Sequence, residues 1–452
     1  MLVERKQNKI KRRQIMTYRN NHTLRIMAIM IGVWLGATIQ AQAENEPKVE
    51  VDSLATYIGA AIRNNPAVMS EYQAYQAKVA SARGAGVLND PELSIGVYPS
   101  PMEQVNSKQV ASFEVMQMFP WFGTLKAGRQ QMEYEAEAAY QKFREDGIAL
   151  AFDMQKQWYQ LLATQEKIRA LDAKIKLLND IKEVAIYQYK SMSMGKFSRM
   201  SDQLRLDAEV ANLKEQKASM EDEFLLQKQQ LNISMHRHEG SNIVVPDSIV
   251  QRELPIVDWS TIEANDPKIA QLTAMGKSYE AMSEKAKNMG KPMIGVGVQY
   301  MLNNKTDMPR MANMNGNDMT MLMLKVSLPI YRRKINMEQK SAQLMQASTV
   351  TGIDKQKDML RSEYLSIEQR SRDIKRKVQL YDQEVDILNN TLSLMQKEYI
   401  SGSSTLTDIL LTTREQIDYA LKKAEARAQY NTVVAEYEKM LSKYDYAVRS
   451  DK

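Results

Sequence analysis

Residues 378–410 read VQLYDQEVDILNNTLSLMQKEYISGSSTLTDIL, and the apolar spacing in this stretch decides the fold. Intervals of three and four residues alternate along it, which is the heptad seam of a coiled coil. Gly402 interrupts the pattern, and a second apolar series begins at Leu406. The stretch therefore predicts a long amphipathic helix, a break at Gly402 and a second helix. The seam consists of Val378, Tyr381, Val385, Leu388, Leu392, Met395 and Tyr399.

The distribution of the 12 prolines predicts two such hairpins. None lies between Trp121 and Val245 or after Pro329, and both stretches are expected to be helical because proline ends helices. Gly195 marks the break in the first hairpin. Its first arm, about Leu125 to Ser191, would be roughly 100 Å long. The same heptad spacing occurs there at Ile168, Leu171, Ile175 and Leu178.

The spacing of the prolines is repeated in the two halves of the chain, which indicates an internal duplication. In each half an Asn-Pro or Asp-Pro pair opens a helical stretch, and another proline follows 25 residues later. Two short strands that end in proline come next, and a long helical hairpin follows them. The corresponding positions are Pro66 and Pro267, Pro91 and Pro292, and Pro120 and Pro329.

The strands alternate in a way that suits a membrane barrel. In 320–328 the even positions are Thr, Leu, Leu, Val and Leu, and the odd positions are Met, Met, Lys and Ser. Similar alternation occurs in 111–116 and 294–302. Apolar residues facing lipid and polar residues facing a lumen give this pattern, although a soluble sheet packed on one face would give it too.

Four strands cannot close a barrel, and an open sheet edge is not tolerated in lipid. If the sheet lies in a membrane, other copies of the chain must complete it. Three copies supply twelve strands, an even number that can close. The fold class predicted is therefore mainly α, with duplicated coiled-coil hairpins and four strands per chain that complete a 12-stranded trimeric β-barrel.

The N-terminus predicts export. A basic leader precedes an apolar run from Ile26 to Ile39, and Ala41-Gln42-Ala43 gives a small-x-small cleavage pattern. This run is shorter than the roughly 20 residues that a spanning helix needs, so a signal peptide over 1–43 is favoured over an N-terminal anchor. Because the leader is long, Met16 is an alternative start to Met1.

Composition excludes several classes of function. The net charge is +6, but residues 1–43 contribute +7, so the rest of the chain carries about −1 and a nucleic-acid partner is not expected. There is no cysteine, which excludes disulfides, thiolate metal sites and a lipid-modified N-terminal cysteine. Only His236 and His238 follow the leader. We therefore expect neither an enzyme nor a cofactor.

These features together resemble the TolC family of outer-membrane efflux proteins, from about Val51 to Tyr446. The second hairpin carries the clearest signature, and the first echoes it at Gly195, Met200, Asp202 and Leu204. The duplicated order of Asn-Pro openings and strand-Pro endings matches as well. The signature residues are Tyr399, Ile400, Ser401, Gly402, Leu406, Asp408, Ile409 and Leu410.

The resemblance implies a homotrimer in the outer membrane with a long periplasmic extension. It would act as a passive conduit, with a periplasmic adaptor and an inner-membrane RND-type pump as partners and outer-membrane lipid around its barrel. The shorter helices, about Pro66–Val87 and Arg199–His236, would stack end to end beside a long one. The chain would comprise a first repeat (44–238), an equatorial connector (239–265), a second repeat (266–446) and a tail (447–452).

The resemblance also implies where the functional residues lie. Asp382 and Asp386 are candidates for acidic rings that close the periplasmic end and filter cations, although ordinary helix solvation explains them as well. The hairpin ends would dock the adaptor. The residues assigned to docking are Gly195, Met200, Asp202, Leu204, Gly402, Leu406, Asp408 and Leu410.

Methionine suggests the substrate. The chain has 31 methionines, and the stretch 119–125 (FPWFGTL) resembles family members that export copper and silver. Thioether sulfur is a soft ligand suited to Cu(I) and Ag(I), so the cluster between residues 308 and 323 predicts metal contact, although methionine also serves as core packing. The six are Met308, Met311, Met314, Met319, Met321 and Met323.

Two alternatives stay open. The same fold serves multidrug efflux and type I secretion, so heavy-metal ions are one of several substrates the tunnel could carry. A periplasmic coiled-coil adaptor or scaffold would also have a signal peptide and long hairpins, but it would lack the duplicated strand pairs.

Overall fold

The structure is a computed structural model that describes residues 54–190, 200–307, 309–401 and 403–443. Several predictions fall outside these residues. They are the signal peptide over 1–43, the choice of start between Met1 and Met16, the tail over 447–452, and the site residues Gly195, Met308 and Gly402.

The described elements follow the predicted duplicated order. The first half contains α1 (Leu54–Asn64), α2 (Pro66–Gly84), β1 (Glu92–Gln104), β2 (Ser107–Phe119), α3 (Thr124–Lys190) and α4 (Met200–Ser234). The second contains α5 (Trp259–Asn265), α6 (Pro267–Met289), β3 (Met293–Asn304), β4 (Met319–Ser327), α7 (Arg332–Ser401) and α8 (Leu406–Met440). A mainly α chain with two long hairpins and four strands is confirmed; the boundaries assigned to the repeats and the connector stay a prediction.

The same local chemistry starts a helix in both halves. The Asn65 side chain accepts a hydrogen bond from the Ala67 amide at 2.9 Å, and the Asp266 side chain accepts one from the Ile269 amide at 2.7 Å. Proline follows each capping residue, where its missing N–H costs nothing and its fixed φ suits the first helical turn. The Asn-Pro and Asp-Pro pairs are therefore helix-starting signals.

The shorter helices of each half meet end to end. Asn65 Nδ2, at the start of α2, donates to the Ser234 carbonyl at the end of α4 at 3.0 Å. Ser442 Oγ, just after α8, donates to the Asn265 carbonyl just before α6, also at 3.0 Å. The stacking predicted in the first half is confirmed, with Pro66–Gly84 and Met200–Ser234 as the observed helices. The second half repeats it.

The hairpin cores are the predicted heptad seams. Five of the seven seam residues of α7 are buried, and Tyr381 and Met395 are half-buried. Leu171 and Leu178 of α3 are fully buried at 0% exposure in a cluster with residues of α4, α7 and α8. Apolar residues on opposing helices thus fill one continuous seam, which accounts for 67 residues of unbroken helix in α3 and 70 in α7.

The four strands form one antiparallel sheet in the order β1-β2-β3-β4. The central pairing, β2 with β3, joins the two halves, with Phe113 opposite Tyr300. At one end of the sheet the β1–β2 and β3–β4 connections pack together, since Asn106 Oδ1 accepts from the Met311 amide at 2.9 Å. Among the described helices, none is both long and apolar enough to cross a bilayer.

Candidate functional site

The sheet has one apolar face and one polar face. Partners in register point to the same side of a sheet, so Leu324 opposite Val296, and Val298 opposite Val115, belong to one face. That face is exposed, and Leu322 is 82% accessible. Its members include Leu93, Ile95, Val97, Phe113, Val115, Ile294, Val296, Val298, Tyr300, Leu322, Leu324 and Val326.

The opposite face carries polar residues, glycine and methionine. The register aligns Glu114 with Gln299, and Gln299 with Met321. Ser112, Met301 and Met319 form the next row toward the loops. The alternation expected from the sequence in β2, β3 and β4 therefore continues across all three strands as two chemically distinct faces.

The predicted methionines occupy two places in the described residues. Met319, Met321 and Met323 lie on β4 and share the polar face with Lys325. Met319 and Met321 are exposed, and Met323 is half-buried. Met311 and Met314 lie in the β3–β4 connection, at 59% and 56% exposure. The structure does not gather the two groups into one cluster, and their role in binding metal stays a prediction.

The two aspartates predicted as a gate differ in their surroundings. Asp382 on α7 is paired with two cations of α8, Lys423 Nζ at 2.6 Å and Arg427 Nη2 at 3.0 Å. Its charge is compensated inside one chain, and this pairing ties α7 to α8. Asp386, one turn further along, is exposed and has no ion pair among those found in the described residues. Asp386 is thus the better placed of the two for an acidic ring, which stays a prediction.

A second link between helices has no counterpart in the sequence analysis. The carboxylate of Glu209 on α4 accepts two hydrogen bonds from Arg414 on α8, at 3.0 Å and 2.6 Å. The Glu209 side chain is 5% exposed, and the Arg414 side chain is 61% exposed. Hydrogen bonding to Glu209 raises the pKa of Arg414. Residues 205 positions apart on different hairpins carry no sequence signal of their pairing.

The start of α4 presents two of the predicted docking residues. Met200 and Leu204 are 57% and 61% exposed, and Asp202 between them is half-buried in the first helical turn. An acidic residue there interacts favourably with the helix dipole. These side chains are accessible to a partner in the chain as described, and docking itself stays a prediction.

The start of α8 differs. Leu406 and Leu410 are only 3% and 8% exposed, because they pack in the same seam as Ile409 and Leu206. Thr405 caps the helix, and its hydroxyl donates to the Asp408 carboxylate at 2.6 Å. Leu406 and Leu410 therefore contribute to the hairpin core and Asp408 to the helix start, and the docking role of all three stays a prediction.

The exposed apolar residue near that helix start is Leu411, at 58% exposure. Leu411 was not predicted as a docking residue, although it lies one position beyond the buried Leu410. The stripe formed by Leu406, Ile409 and Leu410 faces the core and leaves Leu411 on the outside. A helical-wheel reading of 406–417 would have separated the two faces.

The connector 239–265 is held by a polar network. The Arg252 guanidinium donates to the Gln155 side-chain oxygen at 3.3 Å and to the Tyr159 hydroxyl at 3.1 Å, and it pairs with Glu438. Burial lowers the pKa of Arg252, but Tyr159 and Glu438 outweigh that effect and the pKa is raised overall. Asn431, fully buried, adds two hydrogen bonds to the connector backbone. The connector is thus fastened to α3 and α8 together.

No group of three or more His, Asp or Glu side chains able to hold a metal ion occurs in the described ranges. Among the predicted soft ligands, Met319, Met321 and Met323 lie together on the polar face of the sheet.

Neither a protein-family profile nor the sequence of a curated protein matches the chain. Solved structures do. The outer membrane protein VceC from Vibrio cholerae aligns with a TM-score of 0.69 over 86% of this chain and 96% of VceC, at 12% identity. CusC, a protein that forms a transmembrane channel, gives a TM-score of 0.69 over 86% and 91%, at 15% identity. The Neisseria gonorrhoeae outer membrane channel MtrE, in its open state, gives 0.64 over 86% and 88%, at 13% identity.

The chain has the TolC-type fold. The alignments include residues of both halves of the chain, because they cover 86% of it. The resemblance predicted from the hairpin signatures and the duplicated prolines is confirmed at the level of the fold.

Proposed function

We propose that this protein is the outer-membrane conduit of a tripartite efflux system and works as a homotrimer. The observation that carries the proposal is the four-stranded sheet with an exposed apolar face and a polar face. A water-exposed sheet of this composition would leave a large apolar patch in solvent, which soluble proteins avoid. In lipid the same face is favourable.

The edges of the sheet support the trimer. β1 and β4 each pair on one side only in the described chain. Unpaired backbone N–H and C=O groups cost several kcal/mol each in hydrocarbon. Joining β4 of one copy to β1 of the next removes both edges, and three copies close a twelve-stranded barrel with the polar face inside.

The helices support the same assembly. On α7, Leu380, Ile387 and Leu394 repeat every seven residues and are 48%, 58% and 60% exposed. Such a stripe is the seam of a coiled coil whose partner is missing from the chain. A second copy of the chain supplies that partner when the hairpins close into a tunnel.

The junction between sheet and helices fits the membrane surface. Phe122 and Tyr331, which lie two residues before α3 and one residue before α7, are 85% and 82% exposed. Aromatic residues collect at the lipid–water interface of membrane barrels. The helices would then extend into the periplasm, where the exposed Met200 and Leu204 face an adaptor and its RND-type pump. We propose no catalytic role and no cofactor.

The substrate we propose is a soft metal ion, Cu(I) or Ag(I). On β4 the polar face carries Met319, Met321 and Met323, whose thioether sulfurs suit these ions. Organic toxins and secreted proteins are the alternative substrates of the same fold.

The assembly is tested by the mass of the mature protein in detergent, with its heat-resistant form recovered from outer-membrane fractions. A trimer is expected. A stable monomer, or recovery only from the periplasm, would instead fit a coiled-coil scaffold.

The substrate is tested by growth of a deletion strain on graded copper, silver and a detergent-like toxin. Loss of metal tolerance with unchanged toxin tolerance is expected. Sensitivity to the toxin alone would assign organic substrates. Replacing Met319, Met321 and Met323 together by Leu keeps volume and apolarity, so a conduit that needs these sulfurs loses metal tolerance and keeps its trimer.

A further inference from the structure

Two methionines outside the predicted cluster lie across glycines on the polar face of the sheet. Met116 of β2 is opposite Gly297 of β3, and Met118 is opposite Gly295. A Cβ at Gly295 would be 2.5 Å from Met118 Sδ and 3.2 Å from Met116 Sδ, so the sulfurs are at most about 5.7 Å apart, the sum of these distances. Glycine leaves the space into which both thioethers fold.

A third methionine lies on the other side of the same glycine. Gly297 is opposite Met323 of β4 as well as Met116 of β2. Neighbouring strands are about 4.8 Å apart, so the backbones at Met116 and Met323 are about 10 Å apart. Gly297 lies between them and has no side chain. Both methionine side chains are long and flexible enough to reach over Gly297.

The surroundings of these sulfurs differ from a hydrophobic core. The row that contains Met116 continues to Glu92 on β1, and the next row contains Glu114 and Gln299. Methionine used only as a gap-filler is normally surrounded by apolar side chains. Here Met116, only 4% exposed, is sheltered within a polar face whose side chains include two carboxylates.

We propose that Met116, Met118 and Met323 form a binding site for a soft monovalent metal ion, Ag(I) or Cu(I), on the bed made by Gly295 and Gly297. Thioethers are uncharged, so they bind such ions without strong electrostatic attraction and release them readily. Lys325 lies on the same face, with its Cβ 3.2 Å from the position of a Gly295 Cβ. The site deepens the proposed function, since it names a point at which the substrate would dwell.

The test is silver binding to the purified full-length protein in detergent, measured by calorimetry in chloride-free buffer. One site per chain is expected. Replacing Met116 and Met118 together by Leu should weaken silver binding at least tenfold at that site. The matched control replaces Met337 and Met345, both exposed on α7, by Leu and should bind as wild type. Wild-type affinity in the Met116/Met118 variant would overturn the proposal.

Gly295→Ala tests position with every sulfur retained. Its Cβ would occupy the space now filled by the Met118 sulfur, so affinity should fall while the methionine content stays the same. X-ray absorption at the silver edge should show two or three sulfur neighbours in the wild type and fewer in both site variants. Oxygen or nitrogen neighbours alone would reject the site.

The outcome separates this site from the proposed function. Silver binding that depends on Met116 and Met118 establishes the site whether or not deletion strains are metal-sensitive. Metal-sensitive deletion strains whose protein shows no such binding would leave the conduit standing and remove the site. If only the Met319/Met321/Met323 variant loses binding, the ligands are the β4 methionines and the present assignment is wrong.

Discussion

The two long helices are matched in length and differ in how much of their apolar surface the chain itself covers. α3 packs against α1, α2, α4, α6 and α8, whereas α7 packs against α6 and α8. In the part of α3 whose side chains are described, Tyr187 is the large hydrophobic that is exposed. On α7, exposed apolar residues recur from Met337 to Ile400. The first helix is an internal element, and the second is only half covered.

The difference is clearest in the last third of α7, where two stripes run side by side. Val378, Val385 and Leu392 are buried and repeat every seven residues. Leu380, Ile387 and Leu394 repeat with the same period, two positions later, and are exposed. The first stripe packs against α8, and the second stripe is exposed and could pack against a second chain. Two helices of similar length thus differ in coverage: the chain itself covers α3, while α7 keeps an exposed apolar stripe that the proposed trimer would bury.

The largest effect is expected from a charged residue placed in the exposed stripe of α7. Ile387→Asp should dissociate the trimer, with subunit affinity reduced at least about 100-fold, because each interface would bury an unpaired carboxylate. Light scattering after size exclusion measures the mass. Gln379→Asp, at an exposed polar position two turns away, is the matched control and should remain trimeric. A trimeric Ile387→Asp protein would remove α7 from the interface.

The complementary change lies inside the covered helix. Leu171, with 0% exposure, should lose about 2–5 kcal/mol of unfolding free energy on replacement by Ala, since a cavity remains in a packed seam. The melting of helix, followed by circular dichroism, reports the loss, and the subunit count should not change. In the Ile387→Asp background, where the chain is expected to be monomeric, Leu365→Ala on the exposed side of α7 should melt close to its parent. Equal losses at the two sites would contradict the distinction drawn between the helices.

A smaller effect is expected at the ion pair that ties the hairpins together. Arg414→Gln leaves the buried Glu209 carboxylate with weaker partners and should cost about 1–2 kcal/mol. The double variant Glu209→Gln/Arg414→Gln should recover part of the loss, because two neutral amides can pair. A double-mutant cycle on melting curves yields the coupling. Additive losses would mean that the pair contributes nothing beyond its separate residues.

The smallest effect concerns the two helix starts, which differ by one charge. Burial raises the pKa of Asp266 above its usual 3.8, against the lowering effect of the Ile269 amide. A carboxyl whose folded pKa is raised is favourable to the fold when protonated, and its ionisation costs stability as pH rises from the unfolded pKa through the folded one.

Asp266→Asn copies Asn65, keeps a capping oxygen and removes this cost. The variant should gain up to about 1 kcal/mol relative to wild type at pH 7.5 and little at pH 3.5. Melting temperatures at the two pH values measure the change. A gain that is the same at both pH values would show that the charge of Asp266 is not its cause.

Local signals explain what could be predicted from the sequence. Heptad spacing, proline and capping residues act within a few positions of the chain. The helix limits near Thr124, Lys190 and Ser401 could therefore be predicted. The alternation of β4 predicted its two faces correctly. Cross-strand partners could not be predicted, because Met116 and Gly297 meet only through the register between two strands from different halves of the chain. The same limit hid the partners of Asp382 and the pairing of Glu209 with Arg414, which depend on how separate helices are turned.

The end-to-end contact between Asn65 and Ser234 has a mechanical consequence. α3 is one continuous helix, whereas the α2–α4 pair beside it consists of two shorter helices that meet at a joint, where Asn65 donates to the Ser234 carbonyl at 3.0 Å. The α6–α8 pair has an equivalent joint at Asn265 and Ser442 beside the unbroken α7. A lateral force at the hairpin ends is resisted along the whole length of α3 and α7. The same force opens or closes the joints between the shorter helices. Bending is therefore concentrated at one level of the molecule, the level where the connector and its Arg252 network are fastened.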